Sequence, residues 1–465
     1  MSRTSVAPRA SLLLLAYLAF VSLGLPDGLI GVGWPSIRVD LGVPTEAVGV
    51  VLTAGTVAYL TSSVLAGFTL GRLGVGWLLA ASTLLAGLAL SGYALTPALA
   101  VMVGFALVLG LGSGAIDAGL NAYAASAFGP RHMNWMHAFF GLGVAIGPLI
   151  MTGVLGAGLS WRWGYGVVAI AQIALAAAFA LTVRAWRDRA PAPAPLDPVA
   201  PSMVADSRAE SAAPPVGTAP APDRPPGLAG GSGESTPTSG GPGELAGPPG
   251  GLVALVDGAV ADAASPAPKP GPTPIRETLR LPAVWLGGAA FAVYVAIEVT
   301  TGLWAFLLLT EGRGASRPVA GLCVSGYWGS LFLGRVVQGV VAERLGTAGV
   351  LRGSLLGLVG GAALIALPAP AWVTVAGLLV VGFAAAPVFP LLTLTTAERV
   401  GRAHADRTIG LQIGAAGVGA ALVPAAVGVL LARTSVVVLG PTLVVLAVAL
   451  LALHAAGPRR VRPVA

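Results

Sequence analysis

The chain has 465 residues, of which 55% are hydrophobic and only 10% charged, and its mean hydropathy is +0.85. Soluble domains carry about a quarter charged residues, so a water-soluble globule is excluded, and apolar runs of about 20 residues recurring along the chain mark a polytopic helical membrane protein. The net charge is +7 and nearly every base is an arginine, which here points to loops facing a cytoplasm and anionic lipid rather than to nucleic acid.

The N-terminus, MSRTSVAPRA followed by an apolar run, imitates a signal peptide, but no A-x-A site precedes the end of the run, so a retained first span is expected. Hydropathy places twelve spans at roughly 11–35, 46–70, 76–96, 98–126, 134–158, 163–184, 283–308, 317–340, 347–367, 371–396, 407–432 and 434–455. The expected division is a six-helix bundle over 1–186, a linker over 187–276, and a second six-helix bundle over 277–465. The linker is rich in Pro, Ala, Gly and Ser and cannot bury a core, so disorder is expected, with at most a short transient helix over 251–264. Arginines crowd one set of loops, and few lie on the other side (Arg38, Arg162, Arg313, Arg317 and Arg433). The positive-inside rule then puts both termini and the linker in the cytoplasm.

Span one contains LGLPDGLIGVGWP, residues 23–35. Asp27 is a carboxylic acid at mid-bilayer depth, where a charge costs about 2.5–3.5 kcal/mol and persists only in a protein-lined, wet cavity. Pro26 removes a helical hydrogen bond, so a kink is expected. Gly24, Gly28, Gly31 and Gly33 allow close helix approach. Trp34 shares the face of Asp27, seven residues on.

An internal repeat spans the linker. GFTLGRLG, residues 67–74, reappears as GVVAERLG, residues 339–346, at an offset of 272. At nearly the same offset Asp27 maps to Glu298, Gly110 to Gly382, His132 to His404 and His137 to Gln412. Two parallel-related halves place a solute site near the midplane between them.

Other polar residues in the spans extend the candidate site. Gly110, Gly114, Asp117 and Asn121 line one face of span four. Asp117 there is either functional or a hydrogen-bond partner of neighbouring helices. In span seven Tyr294, Glu298 and Gly302 fall at i, i+4 and i+8. Glu298 is a second titrating group, a hydroxyl acceptor, or the ion-pair partner of Arg335 in span eight. Arg335 itself reads as a snorkelling residue of a cytoplasmic gate. Asn134, Trp135 and His137 open span five, and His137 either binds a hydroxyl, relays a proton or packs. Gln412 in span eleven, and less directly Gln172 in span six, are further hydroxyl partners. An aromatic platform under a solute would come from Trp34, Trp135 and Trp304, the preferred candidates. Trp161, Trp163 and Tyr165 read as an interfacial belt.

The repeated G-x-x-x-[D/E]-R-x-G element, the six-plus-six arrangement and the cytoplasmic linker resemble the major facilitator superfamily over all of the chain except the linker. Asp27, GSGAIDAGLNAY in span four, HMNWMHAFFGLGVAIGP entering span five, YVAIEVTTGLWA in span seven and APVFP in span ten are similar to its fucose permease-like sugar transporters. The resemblance implies an all-α membrane fold of twelve helices in two pseudo-repeats. It also implies that Asp27 and Asp117 stand where that group has acids implicated in sugar binding and proton coupling, with Glu298 a third coupling candidate. The repeated element is read in the superfamily as a latch, formed here by Arg72, Glu343 and Arg344; the first copy departs, with Gly71 in place of the acid. Residues 143–153, GVAIGPLIMTG, partly resemble an element of drug–proton antiporters, without its closing glycine pair.

The expected function is proton-coupled symport of a monosaccharide or polyol by alternating access. The alternatives are drug or metabolite efflux by antiport, and a non-transporting receptor. A functional monomer in the plasma membrane is expected, with a small solute and a proton as partners, and no nucleic acid. No enzyme activity and no cofactor are expected. There is no P-loop motif, the four histidines are dispersed, and Cys323 is the single cysteine.

Overall fold

The computed structural model describes residues 10–186 and 275–457, all within one compact unit. The transient helix expected over 251–264 lies outside the described residues, as does the expected linker except Ile275 and Arg276, which begin a short helix. All regular structure among the described residues is helical. In a bilayer only internal hydrogen bonding satisfies the backbone of a lipid-exposed span, and the helix provides it within one segment.

The first half comprises α1 (Ala10–Asp40), α2 (Val48–Leu95), α3 (Leu99–Ala127), α4 (Gly129–Gly156) and α5 (Arg162–Thr182). The second comprises α6 (Ile275–Leu279), α7 (Pro282–Leu307), α8 (Arg317–Leu345), α9 (Thr347–Ala366), α10 (Ala371–Ala385), α11 (Val388–Leu394), α12 (Thr396–Val400), α13 (Arg402–Arg433) and α14 (Leu439–Ala456). Among the described residues ten segments are long and apolar enough to cross a membrane. One of them, α2, is two arms joined at Gly74, whose φ of 73° lies in the left-handed region. The expected eighth span is α8, less apolar than the rest because SGYWGS, residues 325–330, and Arg335 interrupt it. Separating the two arms of α2 and adding α8 recovers the twelve expected crossings. Span ten divides into α10 and α11 at Pro387, because a proline ring clashes with the preceding turn. Pro26 and Pro35, by contrast, are carried inside an unbroken α1.

The repeat is visible in the packing. A Cβ on Gly110 would strike the carbonyl of Gly55 and approach Ala58; one on Gly382 would strike Tyr327 and Ser330. All three pairs of positions are 272 residues apart. Gly74 and Gly346 are also 272 apart, and both have φ of 73°. His132 Nδ1 meets the Tyr17 hydroxyl at 2.8 Å, and its counterpart His404 meets the Thr278 hydroxyl at 2.9 Å. Within the first half α1 packs on α4 and the outer arm of α2 on α5; α7 on α13 and α9 on α14 reproduce this in the second. Between the halves α2 meets α13, α4 meets α8, and α1 meets α7.

A left-handed backbone costs an L-residue about 1–2 kcal/mol. Gly74→Ala and Gly346→Ala are each expected to lower stability by about 1 kcal/mol. Gly67→Ala, whose Cβ meets open space, serves as the control; the check is a thermal unfolding series in detergent.

Candidate functional site

The two halves meet tightly on the side opposite the linker. Gly31 of α1 has the carbonyls of Gly302 and Leu303 in α7 at 2.9 and 3.2 Å from a built Cβ. Gly49 in α2 lies against Ala425 in α13, and Gly321 in α8 against Thr152 in α4. Arg38, at the end of α1, pairs with Glu311, beyond α7, at 3.7 Å. Two other arginines of this side are held internally. Arg162 pairs with Asp40, and Arg313 donates to the Thr374 hydroxyl and the carbonyls of Ile365 and Leu367. Toward the other end Leu60 of α2 lies against Gly417 of α13, whereas Gly67, Gly410 and Gly414 have open space where a Cβ would stand. The halves are therefore closely packed on the far side, and α2 and α13 part toward the ends that carry Gly67 and Gly410.

Asp27 lies halfway along α1. It is surrounded by protein yet reachable by water, and its carboxyl has no hydrogen bond or ion pair among the described residues. Tyr59 and Tyr93 of α2 and Tyr165 of α5 lie within electrostatic reach of it. Asp117 of α3 accepts a hydrogen bond from the Tyr59 hydroxyl at 2.7 Å and another from the Asn121 amide at 3.0 Å. The Asn121 carbonyl oxygen is buried without a partner. The first half thus presents a free carboxyl beside a hydrogen-bonded acid–phenol–amide cluster.

Glu298 of α7 takes a different role. Its carboxylate accepts from the Tyr294 hydroxyl and pairs with Arg335 of α8 at 3.8 Å, both side chains being mostly buried. The Tyr327 hydroxyl donates to its backbone carbonyl at 2.8 Å. Of the alternatives read from the sequence, the geometry displays the ion pair. Arg335 also reaches the His137 carbonyl in α4 at 3.4 Å, joining the halves. The His137 ring is exposed, stands edge-on to Phe20 at 5.2 Å, and lies within electrostatic reach of both Asp117 and Arg335. It links the two clusters.

The remaining candidates are not brought to this place. Trp34 is 2% exposed and its indole donates to the Thr45 carbonyl at 2.7 Å. Trp304 is 1% exposed and donates to the Pro424 carbonyl at 3.0 Å. Trp34 thereby ties α1 to the turn before α2, and Trp304 ties α7 to α13 at Pro424, since a buried indole N–H needs an acceptor. Trp135 is exposed at the linker side, with its ring against Phe139. Gln412 is buried where α7, α12 and α13 meet, accepting from the Thr396 hydroxyl at 3.0 Å. It lines a small pocket with Gly287, Phe291 and Arg399. Arg72 and Arg344 are exposed; the side chains of Asn134 and Glu343 lie outside the described residues.

The expected aromatic belt is corrected. Only Trp163 faces outward; Trp161 and Tyr165 are buried, Trp161 because its indole donates to Asp40 at 3.2 Å and Tyr165 because it stands edge-on to Tyr93. Tyr59, Tyr93 and Tyr165 come from three separate spans, so no local motif groups them around Asp27. The segment Gly143–Gly147–Pro148 packs α4 onto α1: Gly143 lies against Val21, and Gly147 against Leu25 and Gly28.

The family model described as "Major Facilitator Superfamily" matches residues 16–309 and 286–465. Among curated proteins the chain is 34% identical to "Bypass of stop codon protein 6" of Saccharomyces cerevisiae over 68 residues, 15% of this chain and 14% of that one. Among solved structures it is similar in fold to a point-mutant form of the nucleoside transporter NupG (TM-score 0.63, 16% identity, 96% of this chain and 100% of that one). It is likewise similar to a point-mutant form of the peptide transporter POT in complex with sulfate (TM-score 0.64, 14% identity, 97% and 96%). With two facing helical halves that open on one side, and a family match running through both of them, the chain belongs to the Major Facilitator Superfamily.

Proposed function

We propose that the protein is a proton-coupled symporter of a small hydroxylated solute, a monosaccharide or polyol, in the plasma membrane, with the linker and both termini in the cytoplasm. The observation that carries this reading is Asp27: a water-reachable carboxyl without a partner, halfway along a spanning helix, beside the Tyr59–Asp117–Asn121 cluster. A carboxyl that faces first one compartment and then the other carries one proton per cycle. Asp117 and Asn121, with their remaining acceptor capacity, supply partners for solute hydroxyls. His137 completes that wall, and the Glu298–Arg335 pair holds the halves in register through the His137 carbonyl. In this orientation the described conformation faces the cytoplasm, and the protein works as a monomer.

Purified protein in liposomes, with an inward proton gradient of about one pH unit, is expected to accumulate its solute up to about tenfold for one proton per solute. A protonophore should collapse that accumulation. The panel comprises monosaccharides, polyols and, because of the likeness in fold to a nucleoside transporter, nucleosides, which carry a ribose. Loss of a preloaded drug under the opposite gradient, without uptake of any of these, overturns symport in favour of efflux; folded protein with no flux in either direction points to a receptor.

A further inference from the structure

We infer that Tyr165 is a proton-positioning residue of this transporter, passing protons between the far side and Asp27 by a route separate from the solute path. The inference rests on the proton-coupled reading above. Tyr165 is fully buried, and its hydroxyl has no hydrogen-bond partner among the described residues. A buried hydroxyl left unpaired in a closely packed helix pair destabilises the fold, whereas phenylalanine fills the same space without the loss. The nearby Asp27 carboxyl is likewise unpaired. A donor and an acceptor within electrostatic reach of each other, both without a partner among the described residues, complement each other.

Position adds the direction. Tyr165 lies less than one helical turn inside Arg162, which pairs with Asp40 at the far-side surface. Trp161, edge-on to Tyr165 at 6.0 Å, donates to the same Asp40. Tyr93 closes the other flank, edge-on at 5.2 Å. Tyr165 therefore stands between the Asp40–Arg162 pair at the far surface and Asp27, which lies within its electrostatic reach. Tyr59 and Tyr93 from α2 and Tyr165 from α5 lie within electrostatic reach of Asp27, and Asp117 of α3 stands behind Tyr59, from which it accepts a hydrogen bond. The glycines of the neighbouring turns, Gly24, Gly28 and Gly31, lie against Phe140, Val144, Gly147 and Pro148 of α4 and against Gly302 and Leu303 of α7.

In the transfer the Tyr165 hydroxyl gives its proton to the Asp27 carboxylate and takes one from a hydronium ion on the far side, which is left as water. The tyrosine is neutral before and after, and one proton has moved inward. The transfer belongs to the far-side-open state, in which the two groups come within hydrogen-bond reach directly or through one water.

The test compares wild type with Tyr165→Phe in the same liposomes. The variant should unfold at the same temperature as wild type or higher. Solute counterflow at equal pH, which moves no net protons, should stay within about twofold of wild type, whereas the initial rate of gradient-driven uptake should fall about tenfold. Lumenal acidification, read with a trapped pH dye, should fall with it. Undiminished driven uptake overturns the inference, as does an equal fall in counterflow, which would make Tyr165 a solute contact. A lower unfolding temperature also overturns it, because the hydroxyl would then be structural. If wild type itself exchanges solute but never accumulates it under a gradient, the proton-coupled reading fails too, and the two failures are told apart.

Discussion

Asp27→Asn is expected to abolish proton-driven accumulation while leaving solute exchange. The substitution keeps the size and hydrogen-bonding capacity of the side chain and removes only its ability to change charge. Asp27 makes no hydrogen bond or ion pair among the described residues, so no folded-state contact is lost. Removing a charge from mid-bilayer depth also relieves an insertion cost of about 2.5–3.5 kcal/mol. Stability should therefore hold or rise. Coupling fails because the cycle no longer carries a proton in either direction. With an inward gradient of about one pH unit, the accumulation ratio should drop from about ten to about one, and counterflow should retain a substantial part of the wild-type rate. The measurement is uptake with and without a protonophore in matched liposomes, and unchanged concentrative uptake by the variant would refute the role of Asp27. Asp117→Asn is the informative companion. That carboxylate accepts from Tyr59 and Asn121, so its loss should weaken exchange as well as accumulation.

The second large effect concerns packing rather than chemistry. Gly143→Ala places a methyl group against the backbone of Val21, whose carbonyl carbon and Cα lie 2.8 and 3.0 Å from the built Cβ. Backbone cannot rotate away as a flexible side chain would, so α4 must move off α1. Overpacking of this kind typically costs about 1–3 kcal/mol. Because α1 carries Asp27 and α4 carries His137, the displacement should also disturb the site. Gly143→Ala is expected to lower the unfolding temperature by several degrees and to cut exchange and driven uptake together. Gly143→Val should give little folded protein. Gly153→Ala, on the same helix with open space around it, should match wild type in both assays. Normal stability of Gly143→Ala would refute the contact.

Composition and periodicity alone carried the class of fold. Apolar runs of bilayer length can only be helices in lipid, since no other open structure satisfies the backbone there. The repeat was equally legible, because its marks are glycines whose backbone needs are local. Gly74 and Gly346 share a left-handed turn, and Gly110 and Gly382 share a close helix approach. Intramembrane acids could be picked out one by one, since each is costly wherever it sits. Their grouping could not be read. Asp27 and Glu298 occupy equivalent positions in the repeat, yet one is unpaired and the other pairs with Arg335. The difference comes from Arg335, whose counterpart 272 residues earlier is Ser63. Trp34 and Asp27 share a helical face by spacing, but the indole turns to a carbonyl eleven residues on, because a buried N–H takes the nearest acceptor. Tyr59, Tyr93 and Tyr165 converge on Asp27 from the two arms of α2 and from α5. Convergence of that kind is set by how helices pack against one another, and periodicity along a single helix carries no record of it.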